Sequence, residues 1–345
     1  MRVILHADDF GYDNDTTQAT IELLECGALT SATIMATMPA AEQAMAYAAK
    51  HPKYSFGVHL TYVDGLKPVL IKDNSTLLDN HGLFYPSNDV RKKAILLKLK
   101  KQDIVEESLA QIERVRSAGV AISHLDSHGH LHKFPSFLLA LAEIKKRSGI
   151  SRVRRVQNVF INPQHVSPIL ILNKCFDTYI SHTCQTTDFF YMSANNMDTG
   201  WADALLAQMD HLPQDAVIEV GVHPGYADIE EERWRIAEYN DVKEFALDQA
   251  IGGKHWTGFK LVEGRSNRKY TDDEAVAKTV LEAGYDPYEQ KLKGVTAMTS
   301  LLGKKRFTEL LGDLIEKPQG KPTLVPESDK RPEMTTAADD FKEEK

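Results

Sequence analysis

The polypeptide begins with apolar or tolerant positions that end abruptly at Asp8, Asp9 and Gly11, the pattern of a buried strand delivering charge at its C-terminal tip. Asn14 to Leu29 then reads as a helix, with Ile21, Leu23 and Leu24 on its apolar side and Gly27 near its stop. Ser31 to Met38 predicts a second buried strand closed by Pro39, and Ala40 to Lys50 a helix of small residues able to pack closely on a sheet. Tyr54 to Thr61 predicts a third strand carrying His59 near its end. From Asp64 to Asn88 the chain is irregular and punctuated by Gly65, Pro68, Gly82 and Pro86. A loop of that length is uncommon unless it has a job, and covering a substrate is one.

Arg91 to Gly119 is helical in pattern, with Val105, Leu109, Ile112 and Val115 at helical spacing. Val120 to Ile122 restarts a strand that runs into His124, Asp126, His128, His130 and His132. Phe137 to Lys146 predicts a helix, and Ser151 to Val159 a strand rich in arginine at Arg152, Arg154 and Arg155. Residues 163–207 show no clear pattern, whereas Ala216 to Val222 is an apolar strand ending in His223, Pro224, Gly225 and Tyr226. Alternating strands and helices predict an α/β fold with a parallel sheet and right-handed crossovers. Functional groups at successive strand ends point to a barrel or partial barrel with its site at the C-terminal mouth.

Beyond about residue 238 the character changes. Charged helical segments, Asp241 to Ala250 and Asp272 to Ala283, flank a basic stretch containing Arg265, Arg268 and Lys269. From Pro318 to Lys345 the chain is rich in Pro, Lys, Glu and Asp, with too few apolar residues to fold alone, so a loose tail is expected. The expected division is a domain over 1–238 and an extension over 239–345. A chain of 345 residues accommodates one large α/β domain with such an appendage.

The formal net charge of −8 argues against a non-specific nucleic-acid binder. Cys26, Cys175 and Cys184 form no CxxC pair, so neither a disulfide framework nor a thiolate metal site is indicated. The N-terminus enters a strand without a basic, then apolar leader, and no apolar stretch approaches membrane-spanning length. A cytoplasmic protein with no membrane partner is expected.

Two adjacent carboxylates at one strand tip would repel, and one would take up a proton, unless a bound cation keeps both ionised. A lone Asp-Asp is more often a turn capping the next helix. The second and third clusters tip that balance. In an extended chain His124, Asp126, His128, His130 and His132 would all point to one face. At about 3.3 Å per residue they span on the order of 26 Å, so only one or two could hold the same ion. Spacing leaves open which ones, and the others would orient ligands or bind substrate.

HADDFG at 6–11, GVHLT at 57–61, HLDSHGHLH at 124–132 and HPGY at 223–226 resemble, in order, the motifs of the YdjC-type carbohydrate deacetylases, the family of chitooligosaccharide (chitobiose) deacetylase. The resemblance implies a distorted, TIM-like (β/α) barrel whose divalent metal is held by an aspartate and two histidines. By position these are Asp9, His59 and His128, with Asp8 as catalytic base and His223 as candidate catalytic acid. Two nitrogen ligands favour zinc over magnesium, although metal supply can override the preference. The loop containing Leu66 to Tyr85 resembles the family's covering segment; Tyr62, Phe84 and Tyr226 are candidates for stacking on sugar rings, and His130 and His132 for binding substrate. Family members continue past HPGY with a closing helix and final strand, which the sequence here does not obviously show.

Residues 258–270 and 298–332 and the acidic end resemble instead the C-terminal part of an uncharacterised phage-encoded family related to the PD-(D/E)XK exonucleases. No nuclease core of Asp and Glu-x-Lys is visible there, so no nuclease activity is carried over. The expected function is a metal-dependent hydrolase removing acetyl groups from N-acetylglucosamine-containing oligosaccharides, its partner a small oligosaccharide and its oligomeric state, a homodimer included, left open. The rivals are a metal-dependent phosphoesterase and a phage-related, DNA-associated protein with an incomplete barrel, which the basic cluster of the extension keeps in play.

Overall fold

The computed structural model describes residues 1–160, 168–192, 201–209, 211–226, 233–253, 259–263, 268–288, 292–318, 320–326 and 328–334. The chain forms two compact units, Met1–Asp248 and Gln249–Lys345. The sequence placed a boundary near residue 239.

The first unit is built on six parallel strands: β1 (Arg2–Phe10), β2 (Ser31–Ile34), β3 (Ser55–Leu60), β4 (Ile122–Ser127), β5 (Phe189–Met192) and β6 (Val217–Val222). Their order is β4-β3-β2-β1-β6-β5, which puts β1 in the middle. The two edges are joined through residues 151–154. Arg154 N–H donates to Leu125 O at 3.0 Å on the β4 side, and Val153 N–H donates to Gln185 O at 3.0 Å on the β5 side. The sheet thus curls into the distorted (β/α) barrel expected, with the arginine-rich segment as a short stave rather than a full strand.

Helices cover the outside: α1 (Asn14–Glu25), α2 (Ala41–Lys50), α3 (Ser87–Ile95), α4 (Lys101–Ser117), α5 (Pro135–Ser148), α6 (Pro168–Thr183), α7 (Trp201–Met209) and α8 (Arg233–Ile251). Local chemistry sets their ends. Asp13 caps α1 by accepting from Thr16 N–H at 2.7 Å, and Gly149 closes α5 in the left-handed conformation. The single helix expected over 91–119 is two. Leu97, at φ +56°, takes the left-handed position after α3, and Lys98 N–H reaches Lys93 O at 2.8 Å. That is a Schellman-type stop made without glycine, so no sequence signal announced it.

Period-two alternation sorts each strand into two faces. Leu5, Ala7, Ala32, Ile34, Val58, Ile218 and Val220 are fully buried on the helix side, the leucine, isoleucine and valine side chains each contributing roughly 1.5–3 kcal/mol. The alternate positions, His6, Asp8, Thr33, His59, Asp126 and Glu219, are buried too, but face inward. Stability therefore comes chiefly from the outer layer, and the interior is polar. Gly57 lies on the inward face because nothing larger fits: a Cβ there would sit 2.7 Å from both His124 O and Thr33 Cγ2.

After HPGY the chain does supply a helix, α8, which buries Tyr239, Val242, Phe245 and Ala246. Among the described residues no helix is long and apolar enough to cross a membrane.

In the second unit β7 (Phe259–Glu263) pairs antiparallel with β10 (Pro322–Pro326), and β8 (Lys269–Tyr270) with β9 (Ile315–Glu316). The helices α9 (Asp273–Glu282), α10 (Val295–Leu302) and α11 (Lys304–Leu311) share a core of Val276, Val280, Met298, Leu302, Phe307 and Leu311. Of the basic cluster, Arg268 lies over the Phe307 ring and Lys269 pairs with Glu316 at 3.0 Å. Arg265 and the acidic end beyond residue 334 lie outside the described residues.

Candidate metal centre

In a regular strand consecutive side chains point to opposite faces, so Asp8 and Asp9 could not both enter the barrel. A shift in the β1–β2 register between Ala7 and Phe10, with Asp9 at φ +60°, breaks the alternation. Such a conformation is uncommon for a non-glycine residue, and Asp is among the residue types that adopt it most readily. It turns the Asp9 carboxylate toward two histidines from neighbouring strand ends. Asp9 Oδ1 lies 3.3 Å from His59 Nε2, at the end of β3, and 3.0 Å from His128 Nδ1, just past β4. One donor atom from each of the three lies within 4.8 Å of the others.

A buried network fixes this trio. Asp126 Oδ1 holds His59 Nδ1 at 2.8 Å, which directs Nε2 toward Asp9, and Thr33 Oγ1 donates to Asp126 Oδ2 at 3.0 Å. Arg154 donates to both oxygens of Asp8, at 2.6 and 2.7 Å, and to Glu219 Oε1 at 2.6 Å, and lies 2.9 Å from Asp126 Oδ2. Arg235 donates to Asp9 Oδ2 at 2.9 Å. His223 Nε2 lies 3.7 Å from Asp8 Oδ2.

Counting charge tests whether a cation fits. Asp8, Asp9, Asp126, Glu219 and Glu238 are buried carboxylates, against the buried guanidiniums of Arg154 and Arg235. The shortfall of positive charge is felt by His59. Burial disfavours its cationic form, but Asp126, Asp9 and Asp8 outweigh burial and push its pKa up to about 10. Without a metal the site thus recruits a proton, and a divalent cation among Asp9, His59 and His128 would replace it. The donor set, one carboxylate oxygen and two imidazole nitrogens, is one that zinc and similar ions accept. His6, Asp8 and Asp126 also cluster closely enough for a metal. There the Arg154 guanidinium already bridges Asp8 and Asp126, so the charge is met by the protein. Burial raises the Asp8 pKa, but Arg154 more than reverses this and holds it well below the usual carboxylate range.

Asp8, Asp9, His59, His128 and His223 are therefore brought together. The common face expected for the 124–132 segment is not formed. The strand stops at Ser127, and residues His128–Lys133 form a tight turn with Gly129 at φ +61° and His130 at φ +53°. His130 turns its ring toward Phe190, at 5.9 Å between centroids. His132 folds back, its Nδ1 on Ser127 Oγ at 2.7 Å, and burial pushes its pKa down to about 3.

Tyr62 and Phe84 do not present the faces that stacking on sugars would need. Each is 1% exposed, and Tyr62 packs against Phe84 and Phe137 with its hydroxyl on Ser108. Both rings are used in packing against one another and, for Tyr62, against α5, with its hydroxyl anchored on α4. Tyr226 is tied down elsewhere, donating to Glu22 Oε2 at 2.6 Å with its ring against Tyr239. Sequence reasoning missed Arg154, Arg235, Glu219 and Glu238, and only the arginine-rich run at 152–155 hinted at the first.

A family model described as YdjC-like protein matches residues 2–251, and one described as a protein of unknown function (DUF2800) matches residues 226–332. A carbohydrate deacetylase of Geobacillus stearothermophilus is 30% identical over 226 residues, 66% of this chain and 80% of its own length. One from Vibrio campbellii is 29% identical over 248 residues, 72% of this chain and 86% of its own. A solved Enterococcus faecalis protein, described as a candidate cellobiose-phosphate cleavage protein, has the same fold, with a TM-score of 0.58 and 24% identity over 72% of this chain and 94% of that one. Over residues 2–251, the whole of the barrel, the chain belongs to the YdjC-like protein family.

Proposed function

We propose that the protein is a metal-dependent carbohydrate deacetylase that hydrolyses the N-acetyl group of short N-acetylglucosamine-containing oligosaccharides such as diacetylchitobiose. The observation that carries this reading is the convergence of Asp9 Oδ1, His59 Nε2 and His128 Nδ1 at one mouth of the barrel. Relatives named carbohydrate deacetylase support the reaction class.

Asp9, His59 and His128 would hold a divalent ion, zinc by ligand softness or magnesium by supply, which would lend Lewis acidity toward an acetyl carbonyl and a water. Asp8, kept ionised by Arg154, acts as the base. His223, whose Nε2 lies 3.7 Å from Asp8 Oδ2, protonates the departing amine. Asp126 keeps His59 in the tautomer that turns Nε2 toward Asp9.

Acetate release from diacetylchitobiose, before and after chelation and on adding zinc or magnesium back, tests the proposal. Phosphate release from a generic phosphate ester without acetate release from the sugar would reject it in favour of a phosphoesterase.

A further inference from the structure

Beyond the barrel strands, α8 contributes a carboxylate to the same mouth. Glu238 is 5% exposed. Its Oε2 accepts the backbone N–H of His223 and lies 3.4 Å from His223 Nδ1. One oxygen thus faces two nitrogens of the same residue, one in the main chain and one in the ring. Trp234, one turn earlier on α8, packs edge-on against the His223 ring at 5.2 Å between centroids. With Nδ1 facing Glu238, the ring's other nitrogen, Nε2, faces Asp8 Oδ2.

We infer that Glu238 is a positioning residue for the amine-protonating step, holding His223 so that its Nδ1–H faces the Glu238 carboxylate and its Nε2–H faces the leaving nitrogen. The inference rests on the deacetylase reading above and deepens it. In that reaction water adds its oxygen to the acetyl carbon, and the C–N bond breaks with its electron pair going to nitrogen. Nitrogen takes the proton from His223 Nε2, leaving acetate and a free amine. A carboxylate beside Nδ1 stabilises the imidazolium before transfer and fixes which nitrogen delivers the proton. The helix that carries it lies where the two family matches overlap, residues 226–251.

The test is a double-mutant cycle on the full chain, reading kcat and KM for acetate release from diacetylchitobiose. Glu238→Gln, which keeps shape and removes charge, is expected to lower kcat roughly 10²-fold, the lower end of what general acid catalysis contributes, with KM nearly unchanged. Glu238→Asp is expected to recover part of the loss. In a His223→Ala background the Glu238→Gln change is expected to cost nothing further, because the two residues act as a unit. Equal losses in the presence and absence of His223, or no loss of kcat in Glu238→Gln, would overturn the assignment. If Glu238→Gln does not fold, the same cycle run with Glu238→Asp decides it. A wild-type chain that releases no acetate would reject the deacetylase reading itself, and the role of Glu238 with it.

Discussion

Arg235 Nη2 lies 2.9 Å from Asp9 Oδ2, a pairing made across 226 residues of chain. It divides the work of one carboxylate: Oδ2 is held by the guanidinium, and Oδ1 is left facing His59 and His128. Both partners are buried, so removing the arginine leaves a carboxylate charge short of compensation. Arg235→Ala is expected to destabilise the metal-free protein by about 3 kcal/mol. Because a divalent ion would neutralise the same charge, added zinc should stabilise this variant more than it stabilises the wild type. Urea denaturation with and without zinc measures both effects, and equal zinc effects in the two proteins would argue against a shared role.

Asp126 acts through His59. Its Oδ1 accepts from Nδ1 at 2.8 Å, so Asp126→Asn weakens the hold on the ring without emptying the space. Metal affinity is expected to fall about 10–100-fold while the fold is retained. Competition against a chromophoric chelator reads the affinity directly, and an unchanged value would confine Asp126 to pairing with Arg154.

Gly57 tests the packing of the barrel interior. In Gly57→Ala the new Cβ would sit 2.7 Å from His124 O, a backbone atom that cannot swing away. A loss of about 2–3 kcal/mol is expected, read as a lower urea midpoint at unchanged slope. A midpoint within error of wild type would show that β3 and β4 can separate.

Glu22 links α1 to α8 and to the HPGY turn, accepting from Lys243, Tyr226 and Tyr239. Lys243 and the two tyrosines push its carboxyl down to about 2. A pKa depressed on folding contributes stability that is present above the ordinary value near 4.5 and is lost as pH falls toward 2. Glu22→Gln should therefore melt below wild type at pH 6, with the gap closing as pH falls below about 4.5. A gap independent of pH would assign the effect to packing.

Much of this was legible in the residues themselves. Apolar runs ending in charge or histidine marked β1, β3 and β6, and the family motifs singled out Asp9, His59 and His128 among the groups at strand ends. What was hidden depends on φ values and on pairings distant in sequence. The bulge at Asp9 has no compositional signature, and Gly129 was the one residue in the histidine run that pointed to the turn at Gly129 and His130. Arg154 reaches Asp8 across 146 residues and Glu219 across 65, distances over which a single sequence carries no register. Tyr62 and Phe84 sit near the site in sequence but are spent on packing one another. α8 was hard to read because its apolar residues do not form a strong stripe, although its first turns carry Arg235 and Glu238 to the mouth.

Metal content tests the central claim most directly. The chelator-treated full chain, incubated with zinc or magnesium and freed of excess ion, is expected to retain one equivalent per chain and to regain acetate release from diacetylchitobiose. Asp9→Ala, His59→Ala and His128→Ala, each checked for folding by circular dichroism, should lose the ion and the activity together. A full equivalent of metal and undiminished acetate release in any one of the three would contradict the shared seat at Asp9, His59 and His128.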